Sequence, residues 1–68
     1  MKTYYEIYVI SSAGAIIKRF NAGTDAHAAS EAMCHIAAAC PVIYPLAEKL
    51  HIVGRCEGEV VHSRYREV

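Results

Sequence analysis

The apolar positions of this chain change period twice. Residues 3–10 are rich in Tyr, Ile and Val, side chains that suit a pleated surface, and residues 15–22 form a second such run. Ser11-Ser12-Ala13-Gly14 between them reads as a turn, with Gly14 able to supply a positive φ. The pairing that gives each face one character sets the register. A tight loop at Ala13-Gly14 puts Val9 opposite Lys18, Ile7 opposite Phe20 and Tyr5 opposite Ala22 on the core side, with Lys18 snorkelling from the margin. Ile10 with Ile17, Tyr8 with Arg19, and Glu6 with Asn21 then share the other side.

In the middle of the chain the period lengthens. Ala29, Ala32, Met33, Ile36, Ala37 and Cys40 recur at three- and four-residue spacing, which predicts a helix over 24–40. Thr24 is the expected N-cap, and Asp25 in the first turn suits the positive end of the helix dipole. His27, Ser30, Glu31, Cys34, His35 and Ala38 make the opposite face. Pro41 is expected to end the helix, because a residue before proline is pushed out of helical geometry.

Residues 50–56 and 59–68 read as a second hairpin turning at Glu57-Gly58. Its expected register sets Leu50 against Tyr65, Ile52 against Ser63 and Gly54 against Val61 on one side. Lys49 with Arg66, His51 with Arg64, Val53 with His62 and Arg55 with Val60 fall on the other. Gly54 inside a strand marks a bulge or a close backbone approach. The chain thus reads as one α+β domain over residues 1–68, ordered ββαββ. A four-stranded antiparallel sheet carries one helix on one face and leaves the other face open.

On that open face the expected registers gather Tyr4, Tyr8, Ile10, Ile17 and Arg19 from one hairpin. Lys49, His51, Arg55, His62, Arg64 and Arg66 come from the other. Aromatic and arginine-rich surfaces are what protein interfaces enrich, and exposed rings beside cations also serve single-stranded nucleic acid. The plain alternative is a solvated face with cross-strand Tyr–Arg contacts. Residues 41–47, Pro-Val-Ile-Tyr-Pro-Leu-Ala, are unusually apolar for a loop. Val42, Ile43 and Leu46 there either plug the end of the core or, with Ile10 and Ile17, meet a second copy of the chain.

Composition narrows these readings. Seven Lys and Arg balance seven Asp and Glu with four His, for a formal net charge of zero, which argues against strong non-specific binding to duplex nucleic acid. At 68 residues, 54% of them apolar, one small core is expected and disorder is not. No apolar run approaches the roughly 20 residues that span a bilayer, and MKTYYEIYVI lacks a cleavage site, so neither a membrane partner nor a secretory leader is expected. Cys34, Cys40 and Cys56 are odd in number and form no CxxC pair, which suits free thiols in a reducing, cytoplasmic compartment. Without a disulfide, tight packing or dimerisation must support so small a core.

Candidate chemistry is thin. His27, Glu31 and His35 are spaced by four and share one helix face, a geometry able to hold a transition metal. The same stripe on a wetted helix is a polar face with a His–Glu contact, and no metal or cofactor is expected. Cys40 and Cys56 fall on inward positions, and Cys34 beside His27 or His35 lacks an orienting third group. The glycines at 14, 23, 54 and 58 are scattered and match no phosphate-binding loop. No enzymatic activity is expected.

The segment Ala22-Gly23-Thr24-Asp25-Ala26-His27-Ala28-Ala29-Ser30-Glu31-Ala32-Met33 resembles the Gly-Ser/Thr-Asp cap and alanine-rich helix found after the first hairpin in small phage-type anti-CRISPR proteins. Those are short, cytosolic, non-enzymatic domains that bind subunits of a bacterial CRISPR effector. The resemblance implies a mode of action, occlusion of a nucleic-acid-binding or subunit surface in a type I effector complex, and carries no functional residue across. The expected contact surface is the Tyr/Arg sheet face or the helix face around Glu31. The alternative is a single-strand-binding module using Tyr4, Tyr8, Arg64 and Arg66.

Overall fold

A computed structural model describes residues 2–68. Its elements are β1 (Tyr4–Ser11), β2 (Ile16–Asn21), α1 (Ala26–Ile43), β3 (Ala47–Cys56) and β4 (Glu59–Glu67). The strands form one antiparallel sheet in the order β2-β1-β3-β4, so the fold is α+β, ordered ββαββ. The two hairpins join where β1 pairs β3, from Tyr4 opposite Arg55 to Ser11 opposite Ala47.

The helix lies on the two central strands. Ile7 and Val9 of β1, Leu50 and Ile52 of β3, and Ala29, Met33, Ala37 and Cys40 of α1 make the core. Each fully buried Ile or Leu contributes about 1.5–3 kcal/mol. Small alanines on the helix stripe allow a close approach, and Tyr5, Phe20, Ile36 and Tyr44 close the sides. β2 and β4 lie at the margins, and every residue of β4 is exposed. No helix among the described residues is long and apolar enough to cross a membrane.

The first hairpin follows the expected register. Val9 faces Lys18, Ile7 faces Phe20, Tyr8 faces Arg19 and Glu6 faces Asn21. Tyr5 and Ala22 extend the pairing, Ala22 N donating to Tyr5 O at 2.8 Å. The difference is at the turn, where a shift after Val9 sets Ile16, not Ile17, against Ile10.

The helix departs from expectation at both ends. Asp25, not Thr24, is the N-cap: its backbone is extended and its carboxylate accepts from the His27 N–H at 3.3 Å. Pro41 does not stop the helix, which runs on to Ile43. Proline at 41 removes one backbone donor in the last turn only, and Tyr44 N still donates to Cys40 O at 2.8 Å. The core-plug reading of the apolar loop fails, since Val42, Ile43 and Leu46 are 85%, 62% and 77% exposed. Tyr44 takes that role, edge-on to Phe20 at 6.3 Å between ring centres.

The second hairpin turns at Glu57 and Gly58, both with positive φ (53° and 82°), a geometry that matches strand twist. Arg55 faces Val60 as expected, but the register then shifts, and Gly54 faces His62. Val61 is the extra residue of a β-bulge. Beyond it every expected pair is displaced by one: Ile52 meets Arg64, His51 meets Tyr65, Leu50 meets Arg66. A one-residue slip exchanges the two faces of a strand. His62, Arg64 and Arg66 therefore lie on the helix side, and Ser63 and Tyr65 on the open side.

Candidate functional site on the open sheet face

One row of the open face runs across all four strands. Arg19 of β2 faces Tyr8 of β1, Tyr8 faces His51 of β3, and His51 faces Tyr65 of β4. The Tyr8 and His51 rings are tilted, with centres 6.3 Å apart. His51 and Tyr65 are stacked at 4.0 Å and 9° between planes. The Lys49 ammonium sits 4.9 Å from the Tyr65 ring centre, a cation–π contact. His51 Nε2 is 2.7 Å from the Ser63 hydroxyl. Burial, then the nearby Lys49 charge, pushes the His51 imidazole below its ordinary value. That shift favours the neutral ring in the stack.

The neighbouring row places Glu6 between Asn21 and Val53. Glu6 is the hub of the surface. The Tyr8 hydroxyl donates to its Oε1 at 3.0 Å, Arg55 Nε donates to the same oxygen at 3.1 Å, and Arg19 Nη1 lies 3.3 Å from Oε2. The Glu6 side chain is only 17% exposed, whereas those of Arg19 and Arg55 are 60% and 43% exposed. The carboxyl is held below its usual range, first by the Tyr8 hydroxyl and, against the upward push of burial, by Arg55 and Arg19. Arg55 is raised in turn by the Tyr8 hydroxyl and by Glu6. Each guanidinium is tethered at one point and keeps free N–H groups facing solvent. A shallow groove of about 750 Å³ runs over this cluster, lined by Tyr4, Glu6, Tyr8, Arg19, Asn21 and Arg55 among others.

The structure thus brings together Tyr4, Tyr8, Arg19, His51 and Arg55 of the expected site. It does not bring His62, Arg64 and Arg66 to them. Arg64 Nη2 donates to Ser30 Oγ at 3.4 Å and Arg66 Nη1 to Cys34 Sγ at 3.0 Å, both across to the helix. Glu31 lies on the outer helix face, paired with His27 at 2.8 Å. Among the described residues no three His, Cys, Asp or Glu side chains come together as a metal-holding group. Glu6, Ser63 and Tyr65 were missing from the expected site. A signal for Glu6 was present, an acid alternating with Tyr4 and Tyr8 opposite arginine-bearing strands. Tyr65 was hidden by the bulge.

The chain matches no protein-family model, and no curated protein or solved structure matches it.

Proposed function

We propose that this chain is a non-enzymatic protein-binding inhibitor that occludes its target with the open sheet face. The observation that carries this reading is the Glu6 cluster: Arg19, Arg55 and Tyr8 tethered to one carboxylate beside a stacked aromatic row. Arginine and tyrosine dominate the energetics of protein interfaces, and fixing their rotamers in advance lowers the ordering cost of binding. The net charge of zero favours a protein surface over bulk phosphate. Following the resemblance to anti-CRISPR proteins, the target is a subunit of a type I CRISPR effector complex whose nucleic-acid-binding surface is blocked. The exposed apolar end of the molecule suits a homodimer.

The test is direct binding of the purified chain to reconstituted type I effector complexes, with target-DNA loading as the second readout. Binding should block loading, and Arg19→Glu with Tyr8→Ala should weaken it by at least about tenfold, since interface anchors of these types cost 1.4 kcal/mol or more. Wild-type affinity in that double variant would remove the open face from the proposal. A second reading, single-strand binding, is favoured by the exposed stack of His51 on Tyr65. A mobility shift with oligonucleotide that disappears in Tyr65→Ala, without any effector binding, would establish it instead.

A further inference from the structure

Both margins of the sheet are open edges, and they differ in what their cations do. On β2, Arg19 is held by Glu6 and Lys18 lies 5.8 Å from the Phe20 ring centre. On β4, Arg64 and Arg66 touch only the neutral Ser30 hydroxyl and Cys34 thiol. Among the described residues no carboxylate lies within ion-pair distance of either guanidinium. The two arginines stand two residues apart on one strand face, so they recur about 6.6–6.8 Å apart. Between them and the helix lies a cleft of about 440 Å³ whose lining includes Ser30, Met33 and Cys34. Both arginines are exposed, and Met33 shares the cleft they line.

Residues 62–67 of β4 pair with β3 in unbroken register, and β4 is the last strand of the sheet. Its outer backbone groups are unpaired donors and acceptors along an extended stretch, a template for a further strand. We propose that this edge accepts an extended acidic segment of a partner protein, which pairs antiparallel with β4 and carries carboxylates at alternate positions. Residues directly opposite across an antiparallel pair have Cβ atoms about 4.5–5.5 Å apart, so Asp or Glu at i and i+2 of the incoming strand meet Arg64 and Arg66. Main-chain hydrogen bonds supply affinity, and the alternating charges choose the segment and its register. A second copy of β4 meets like charges within the regular stretch: antiparallel self-pairing centred on Arg64 sets that arginine against itself, and centred on Tyr65 it sets Arg64 against Arg66. Like charges directly opposite are destabilising. The charged side chains it uses, Arg64 and Arg66, lie on the helix side of β4 and not on the open face, so substituting them separates this proposal from the one above.

The experiment titrates isotope-labelled protein with a capped peptide of about ten residues alternating Glu and Thr, followed by amide chemical shifts. Shifts should concentrate in residues 62–67. Binding should weaken about tenfold or more in Arg64→Glu/Arg66→Glu, the expected scale when two favourable cross-strand pairs become repulsive. That variant should instead prefer a Lys/Thr alternating peptide. Arg64→Gln/Arg66→Gln, which keeps neutral hydrogen-bond donors, should lose the preference for acid without reversing it. Absence of shifts in β4 would overturn the proposal. So would equal binding of a peptide with the same composition but its glutamates in one block. A single-stranded oligothymidylate that moves the same amides at lower concentration than the peptide would reassign the site to phosphate.

Discussion

Glu6 decides where two arginines point. Its carboxylate takes two hydrogen bonds and a second guanidinium in an ion pair while remaining mostly shielded, so the energetic role is larger than that of an ordinary surface ion pair and smaller than that of a buried one. Glu6→Gln keeps the shape and one acceptor oxygen but removes the charge, and should destabilise the fold by about 1 kcal/mol at neutral pH. The sign of the pH dependence follows from the lowered carboxyl. A group whose folded value lies below its ordinary one, here 4.5, contributes its full stabilisation above that ordinary value. The contribution fades as pH falls through the lowered value. Urea unfolding of the two proteins should therefore differ at pH about 7 and converge toward pH about 2. A gap that persists undiminished in acid would mean that Gln disturbs packing instead. The same substitution should also weaken target binding, because Arg19 and Arg55 would regain rotamer freedom that binding must then remove.

The bulge in β4 separates the half of the second hairpin that was legible in the sequence from the half that was not. Arg55 opposite Val60 follows from the tight turn, and so does the first hairpin from Glu6 to Val9, whose faces differ sharply in character; only its Ile10 end shifts, to face Ile16. One unpaired residue at Val61 then reverses the faces of all that follows. Nothing in the pattern of 59–68 forbids either register, since that strand is exposed on both sides and carries no apolar face to set it. The pairing of β1 with β3 is long-range and leaves no local trace, so strand order was equally out of reach. Tyr4, Tyr8, Arg19, His51 and Arg55 could be placed because each sits on a strand with a buried side or beside a legible turn. Gly54 did signal the irregularity. A Cβ there would stand 3.0 Å from Thr3 Cγ2, 3.0 Å from Tyr5 Cε1 and 3.1 Å from His62 Cβ. His62 Cβ is fixed to the facing backbone and has little room to give. Gly54→Ala should cost about 1–3 kcal/mol by overpacking. For a domain of this size each kcal/mol lowers Tm by about 4–8 °C, which thermal unfolding would resolve. An unchanged Tm would show that the bulge relaxes freely and does not hold the register of β4.

Taken as a whole, the molecule is a two-layer slab 37 × 22 × 15 Å in extent, with one helix too narrow to cover four strands. Its surface, 4471 Å², is close to the roughly 4,200 Å² that size scaling assigns to a folded 7.5 kDa chain. Part of that surface is apolar and gathered at one end. Ile17, Ile43, Tyr44, Pro45 and Leu46 line a shallow hollow, and Val42 stands beside it on the last helical turn. This end lies near the turn of the first hairpin, where Ser11 of β1 faces Ala47, whereas the Glu6 groove lies toward Tyr4 at the other end of the same strand. A two-fold contact through the hollow would cover the apolar side chains and leave the groove accessible, so one dimer would present two binding faces. Three free cysteines offer no cross-link to stiffen so small a core, and subunit burial would add to what its packing supplies. Light scattering at about 100 μM should therefore give twice the chain mass, and Leu46→Asp with Ile43→Asp should halve it, because charges placed in an apolar contact are costly to desolvate. Both positions are exposed in the single chain, so the variant should keep its fold by circular dichroism while its Tm becomes independent of concentration. A wild-type chain that scatters as a monomer across the millimolar range would end the dimer proposal and leave the hollow as solvent-facing surface.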